Sequence, residues 1–527
     1  MVFLRLCLRN EAKDTMSDKV KIFDTTLRDG EQSAGVAFTP EDKLEIARQL
    51  ERLGVDVIEA GFPCTSKGDL HAVQLISREV RGASICALAR AVARDIDIAW
   101  EGVREAEAPR LHVFINASDI QMAHQLRKGR REVLEQTEAM VRHAAGYTSD
   151  VEFSPMDATR SDPEFLHAII ERAIAAGATT INVPDSVGYA LPEESAAMFA
   201  GIRERVPNID QAVLSAHCHD DLGLAVANSL AAISAGVRQV EVAINGIGER
   251  AGNTSLEEVV MAIATRGQDM GVHTGVRTPE LYRTAKLVER LSGMDIQPNK
   301  AIVGRNAFRH GSGIHQDGIL KLRQTWEIMD PADIGVPGGT QLVMGKLSGR
   351  HAFREHLRGL GHALEGDKLD RAFTAFKALA DRKVAVDDRD LEAIAAEHGQ
   401  TAGHSAWTVD RVQISSGCSA TPTATLRLRD EDGQLREDAA TGSGPLDAVY
   451  RAVNRITGVE PTLADFSIRS VTEGRDAQGE VTVHVEASGR SFAGRAADTD
   501  IIVAGARAYT AALNRLVVAG RQEGASA

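Results

Sequence analysis

From residue 20 to about residue 291 the chain alternates short β-branched runs with longer stretches whose apolar residues recur at helical spacing. The short runs predict strands at 20–24, 55–60, 84–88, 110–115, 151–154, 180–183, 213–217 and 239–244. Several of the helical stretches between them end near glycine, as in Gln49-Leu50-Glu51-Arg52-Leu53-Gly54 and Ala173-Ile174-Ala175-Ala176-Gly177. Glycine just past the last turn is the common helix stop. Eight strand–helix units in about 270 residues match a (β/α)8 TIM barrel in count and length. A doubly wound open sheet would carry roughly six strands instead.

The pattern changes beyond the barrel. Residues 299–318 are rich in Gly, His, Arg and Asn, and Gly335-Val336-Pro337-Gly338-Gly339 marks a loop connection. Residues 340–400 read as three helices, two of them at 368–379 and 387–398. After Gly399-Gln400-Thr401-Ala402-Gly403 the periodicity alternates, giving strands at 408–415, 423–428 and 481–487 with helices at 445–456 and 500–519. The expected organisation is a flexible N-terminal extension (1–18), a barrel domain (19–292), helical linker subdomains (293–403) and a C-terminal α+β domain (404–527).

Composition narrows the function classes. Among 527 residues the formal net charge is −14, which argues against nucleic-acid or anionic membrane surfaces as partners. The opening apolar run is short and broken by Arg5, and no later run is long enough to span a bilayer. Five scattered cysteines (Cys7, Cys64, Cys86, Cys218, Cys418) form no C-x-x-C pair, the usage of a reduced, cytoplasmic chain.

The chemistry gathers at the strand ends, where barrel enzymes place their sites. Arg28 and Asp29 follow the first strand, Glu59 and Phe62 the second, and Asp185 and Ser186 the sixth; His219 follows the seventh, Asn245 and Asn253 the eighth. His217 and His219, two apart on a strand, project from one face. Closure puts strand eight against strand one, so Asp29, His217, His219 and Asn253 can converge as an open divalent-metal site beside Arg28. A mixed N/O donor set tolerates magnesium, manganese or zinc. A lone H-x-H pair is more often structural; its place on strand seven beside Arg28-Asp29 favours the metal reading.

Three ordered motifs carry a resemblance: Asp24-Thr25-Thr26-Leu27-Arg28-Asp29-Gly30-Glu31-Gln32, His217-Cys218-His219-Asp220-Asp221-Leu222-Gly223 and Gly246-Ile247-Gly248-Glu249-Arg250-Ala251-Gly252-Asn253. They resemble the signatures of the Claisen-condensing barrel metalloenzymes, the family of isopropylmalate, homocitrate and citramalate synthases. Asn299-Lys300-Ala301-Ile302-Val303-Gly304 and Ser312-Gly313-Ile314-His315-Gln316-Asp317-Gly318 are closer to the leucine-pathway branch. The resemblance implies Asp29, His217, His219 and Asn253 as metal ligands, with Arg28 polarising the keto oxygen. It implies acetyl-CoA as co-substrate, condensed with 3-methyl-2-oxobutanoate; pyruvate, the citramalate substrate, is the competing reading. A catalytically silent, metal-binding or effector-binding paralogue is the reading from another class. His315 is the expected base for the acetyl methyl proton, reaching a partner subunit's barrel in a homodimer, with Glu249 orienting it. His112, Ser186 and Glu59 match substrate-contact or supporting positions.

One motif departs from the family. In Phe153-Ser154-Pro155-Met156-Asp157-Ala158-Thr159-Arg160, Met156 stands where many relatives carry Glu; either neighbouring Asp157 compensates or the group is dispensable in this branch. The C-terminal domain resembles an allosteric domain that binds the end product leucine. Two helix entries, Gly442-Ser443-Gly444-Pro445-Leu446-Asp447-Ala448 and Ala497-Asp498-Thr499-Asp500-Ile501-Ile502, present amides that suit a carboxylate or serve as ordinary caps.

Overall fold

The computed structural model describes residues 17–381, 386–399, 406–417, 420–470, 479–487 and 490–524. Residues 1–16 of the expected extension, Cys7, Cys418 and the connection at 400–403 lie outside the described residues. Two compact units are present: residues 17–309 with Glu327–Gln341, and His310–Trp326 with 342–527.

The first unit is built on eight parallel strands: β1 (Lys21–Asp24), β2 (Val57–Gly61), β3 (Ser84–Arg90), β4 (Pro109–Asn116), β5 (Val151–Met156), β6 (Thr180–Asp185), β7 (Val213–Cys218) and β8 (Gln239–Val242). They close into a barrel. The closing seam pairs β8 with β1, Gln239 opposite Lys21 through Val242 opposite Asp24. Between strands run α1 (Pro40–Leu53), α2 (Lys67–Glu79), α3 (Ala93–Val103), α4 (Arg130–Ala145), α5 (Pro163–Ala176), α6 (Pro192–Arg205) and α7 (Ala225–Ser234). After β8 come α8 (Leu256–Met270) and α9 (Leu281–Ser292).

Local signals set these elements. Thr39 caps α1 in a reciprocal box with Asp42, Pro40 occupies the first turn, and Gly54 ends the helix at φ 84°. Each strand alternates a side chain toward the helices with one toward the barrel axis. Leu111, Val113, Phe153 and Ile181 join the large core outside the strands. Inside, Arg110 Nη1 donates to Glu152 Oε2 (3.0 Å) and Gln239 Oε1 (2.8 Å), and Gln239 Nε2 donates to Ser215 Oγ (3.0 Å). An apolar layer of Phe23, Val57 and Cys86 lies in the same interior. The barrel is therefore a filled core whose chemistry is confined to its C-terminal mouth.

The second unit contains α10 (Gly313–Lys321), α11 (Arg350–Gly359), α12 (Gly366–Ala380) and α13 (Asp388–Gly399). The last three share a core around Phe353, Leu369, Phe376 and Leu391, the three helices expected for 340–400. Two antiparallel sheets follow. The first holds β9 (Trp407–Gly417), β10 (Ala420–Asp430) and β11 (Leu435–Thr441), followed by α14 (Pro445–Thr457). The second holds β12 (Thr462–Ser470), β13 (Gly479–Ala487) and β14 (Arg490–Asp498), followed by α15 (Ile501–Gly524). A separate core joins both sheets through Leu426, Leu428, Val481 and Val483, with Tyr450 of α14 stacked on Tyr509 of α15 at 4.2 Å.

Candidate active site at the barrel mouth

The closing seam brings Asp29, His217, His219 and Asn253 together. Asp29 sits in the turn after β1, and its Oδ2 lies 3.5 Å from His217 Nε2 and 3.7 Å from His219 Nε2. The two imidazoles are 4.8 Å apart between centroids, and His219 forms an isolated antiparallel bridge with Asn253. All four residues are buried. Asn253 Nδ2 donates to Ile247 O (3.1 Å), which fixes the amide and directs its oxygen. That oxygen, Asp29 Oδ1 and His219 Nδ1 are buried without a hydrogen-bond partner. Orphaned acceptors beside two imidazoles are costly unless something positive satisfies them, and this donor set suits a divalent cation.

Arg28 stands beside this group, its side chain 10 % exposed, with Nε donating to Glu59 Oε2 (2.6 Å) and Nη1 3.0 Å from Asp29 Oδ2. Glu59 is also held by Thr25 Oγ1 (2.7 Å) and by His112 Nδ1 (2.8 Å). His112 Nε2 lies 2.7 Å from Ser154 Oγ, which also accepts from Asn182 Nδ2 (2.9 Å). A polar chain thus runs across β2, β4, β5 and β6 and ends on the arginine. Burial alone would lower the Arg28 pKa, but Glu59 and Asp29 outweigh it and raise it. Burial would raise Glu59, yet Arg28 and His112 bring it down to about 2. The same balance raises His112, where Glu59 outweighs burial. Asp29 is lowered because Arg28 and the two histidines outweigh its burial. Burial and the neighbouring His217 push His219 down to about 3.

The remaining expected residues fall in different places. Glu59 grips the arginine, and fully buried His112 sits one step behind it. Ser186 Oγ accepts from Asp157 N (2.9 Å), tying the rims of β5 and β6. Glu249 is exposed at the rim. His315 lies on α10 in the second unit, stacked on Trp326 at 3.7 Å between centroids. Asp157 does not substitute for the missing glutamate. The backbone turns left-handed there (φ 65°), and the carboxylate is buried against Ser118 Oγ (2.5 Å) and Arg160 Nη2 (2.7 Å). Met156 continues the inward series Glu152, Ser154, Met156 of β5 and is half-buried at the mouth.

Sequence reasoning missed Glu241. It lies directly opposite His217 in the β7–β8 register, with Oε2 2.7 Å from His217 Nδ1. Period-2 alternation from Gln239 was the signal that could have found it. In the C-terminal domain Asp500 Oδ1 caps α15 by accepting from Ile502 N (2.8 Å), whereas at α14 the N-cap Gly444 makes no side-chain cap bond and Asp447 Oδ2 accepts from Ser443 N (2.7 Å) ahead of the helix.

Fold and site together define a (β/α)8-barrel enzyme of the HMGL-like class, whose family model matches residues 19–288. Residues 302–384 match the homocitrate synthase post-HMGL domain-like family, and 385–517 the LeuA allosteric (dimerisation) domain. The 2-isopropylmalate synthase of Carboxydothermus hydrogenoformans is 56% identical over 501 residues, covering 95% of this chain and 98% of that protein. Those of Pelotomaculum thermopropionicum (53% identical; 95% and 99% covered) and Microcystis aeruginosa (54%; 97% and 98%) are similarly close. The chain belongs to the 2-isopropylmalate synthase family.

Proposed function

We propose that this chain condenses acetyl-CoA with 3-methyl-2-oxobutanoate, giving 2-isopropylmalate and CoA at the entry to leucine biosynthesis. The observation that carries the reading is the buried Asp29–His217–His219 group, whose ligand atoms lie within 4.8 Å of one another, set directly against Arg28. Near full-length relatives of that name support it over the pyruvate-using alternative.

Asp29, His217, His219 and the Asn253 oxygen would hold a magnesium, manganese or zinc ion, which when bound polarises the 2-keto acid carbonyl as a Lewis acid. Arg28 places a permanent, directional positive charge where the keto oxygen becomes an alkoxide. Glu59, anchored by Thr25 and His112, keeps the guanidinium aimed. His315, carried by a second subunit and oriented by Glu249, takes a methyl proton from acetyl-CoA. The carbon so freed bonds to the keto carbon, and water then cleaves the thioester. His112 and Ser186 would line or support the keto-acid pocket.

The domain limits 19–292, 293–403 and 404–527 serve this reading: barrel, linker bearing His315, and a regulatory domain that binds leucine and pairs subunits. The match to the LeuA allosteric (dimerisation) domain supports a homodimer with a regulatory ligand. No helix among the described residues is long and apolar enough to cross a membrane, in keeping with work in the cytoplasm.

The test is CoA-thiol release from acetyl-CoA with a panel of 2-keto acids, with and without a divalent ion. We expect metal-dependent release that is fastest with 3-methyl-2-oxobutanoate. A preference for pyruvate moves the assignment to citramalate synthesis, and no release with any keto acid overturns the enzyme reading.

A further inference from the structure

Arg250 has no part in the chemistry above, yet three rim loops meet on it. It lies three residues before Asn253, with a left-handed backbone (φ 56°) that few non-glycine residues adopt. Its Nε and Nη2 each reach a carboxylate oxygen of Asp221 at 2.8 Å, and Nη2 also donates to Ser186 O at 2.9 Å. The loops after β6, β7 and β8 are thereby fastened by one guanidinium.

The backbones beneath it interlock. His219 N donates to Asp185 O (3.2 Å), Asp220 N to Gly252 O (2.9 Å) and Leu222 N to Gly188 O (3.2 Å). At Gly188 (φ 60°) any side chain would collide with the Asp221 carboxylate and backbone. Two of these loops carry His219 and Asn253, the pair whose bridge spans the β7–β8 rim. The Arg250 side chain is 42 % exposed, so its bonds are not needed to fill a core. A strained backbone persists only where its surroundings over-determine it, and such positions cluster at functional sites.

We propose that the Arg250–Asp221 pair is a clamp that sets the spacing of His219 and Asn253, making Arg250 a positioning residue for the metal site; the proposal rests on the reading of that site given above. The fork matters as much as the charge. A lysine cannot hold both Asp221 oxygens and the Ser186 carbonyl with fixed, coplanar donors.

The experiment is Mn2+ binding to the full-length protein, followed by electron paramagnetic resonance of the free ion, with thermal unfolding measured in parallel. Arg250→Ala and Arg250→Lys should each raise the Mn2+ dissociation constant roughly tenfold or more, the scale for groups that orient ligands, while the unfolding midpoint barely moves. Asp221→Asn, a gentler change, should act in the same direction. The Asp221→Asn/Arg250→Ala double variant should be no worse than Arg250→Ala alone, because the two act as one unit. Wild-type Mn2+ binding with Arg250→Ala within twofold of it overturns the clamp alone. Failure of the wild type to bind Mn2+ overturns the metal reading and the clamp with it.

Discussion

His217 and Glu241 face each other across adjacent barrel strands, with 2.7 Å between Nδ1 and Oε2. A hydrogen bond from Nδ1–H to this carboxylate favours the neutral tautomer whose lone pair is on Nε2, the nitrogen toward Asp29. Carboxylate–histidine pairs of this kind fix ring orientation and raise ligand basicity. Glu241→Gln should therefore weaken divalent-ion affinity roughly tenfold or more while the protein stays folded. Titration calorimetry with Mg2+ or Mn2+ reads this directly; unchanged affinity would remove Glu241 from the site.

The Arg28 guanidinium is gripped on two sides, by Glu59 at 2.6 Å and Asp29 at 3.0 Å. Arg28→Lys keeps the charge but loses the fork that serves both carboxylates and, on the proposed reading, the substrate oxygen. Removing a donor aimed at a developing oxyanion costs about 100-fold or more in kcat. We expect a loss of that order in steady-state CoA release, falling mainly on kcat rather than KM. Glu59→Gln should give a smaller loss of the same kind. A change in KM alone would mean that Arg28 serves ground-state binding only.

Much of this site was legible in the sequence because strand alternation and strand count are local signals. Once eight strands are counted, the seam that joins Arg28-Asp29 to His217 and His219 follows from closure. Glu241, Ser154 and Asn182 were harder, since their roles depend on which face of a strand looks inward and on cross-strand register. Of the two readings open for the missing glutamate, compensation by Asp157 fails for a related reason: a single left-handed residue turns its side chain away from the mouth, and sequence gives little warning of that at a non-glycine position. In the C-terminal domain β11, β12 and β14 escaped notice, β11 and β14 because Leu435–Thr441 and Arg490–Asp498 are polar and small rather than β-branched.

Met156 gives the β5 side of the mouth an apolar group where an acid would bind cations or protons. Met156 stands directly above Ser154 in the inward series, half-buried at the mouth, and on the proposed reading the keto-acid side chain would lie against it. Truncating it to Ala should favour longer unbranched 2-keto acids over 3-methyl-2-oxobutanoate. One or two methylenes are worth about 1–3 kcal/mol in a pocket, so the ratio of kcat/KM values should shift roughly tenfold. A ratio that stays constant across a chain-length series would place Met156 outside the pocket.

Asp24 closes the seam beside β8, fully buried, with Thr26 N and Thr26 Oγ1 each donating to its carboxylate at 3.0 Å. Burial pushes its pKa from an ordinary 3.8 up to about 7; the Thr26 bonds oppose this, while Glu257 of α8 and Glu59 of β2 add to it. The sign follows from proton binding. Between these two values the folded chain holds a proton that the unfolded chain has released, so this group's contribution to stability falls as pH rises through the window. Below 3.8 both states are protonated and nothing is lost; above about 7 the whole cost is present. Asp24→Asn mimics the protonated acid at every pH and should escape that cost. The stability difference between variant and wild type, measured by urea unfolding from pH 4 to pH 8, should grow in favour of the variant's neutral amide by at most about 1.4 kcal/mol per pH unit. Titrating groups not coupled to Asp24 cancel in that difference, so a value independent of pH would mean that Asp24 ionises in the fold as it does in water.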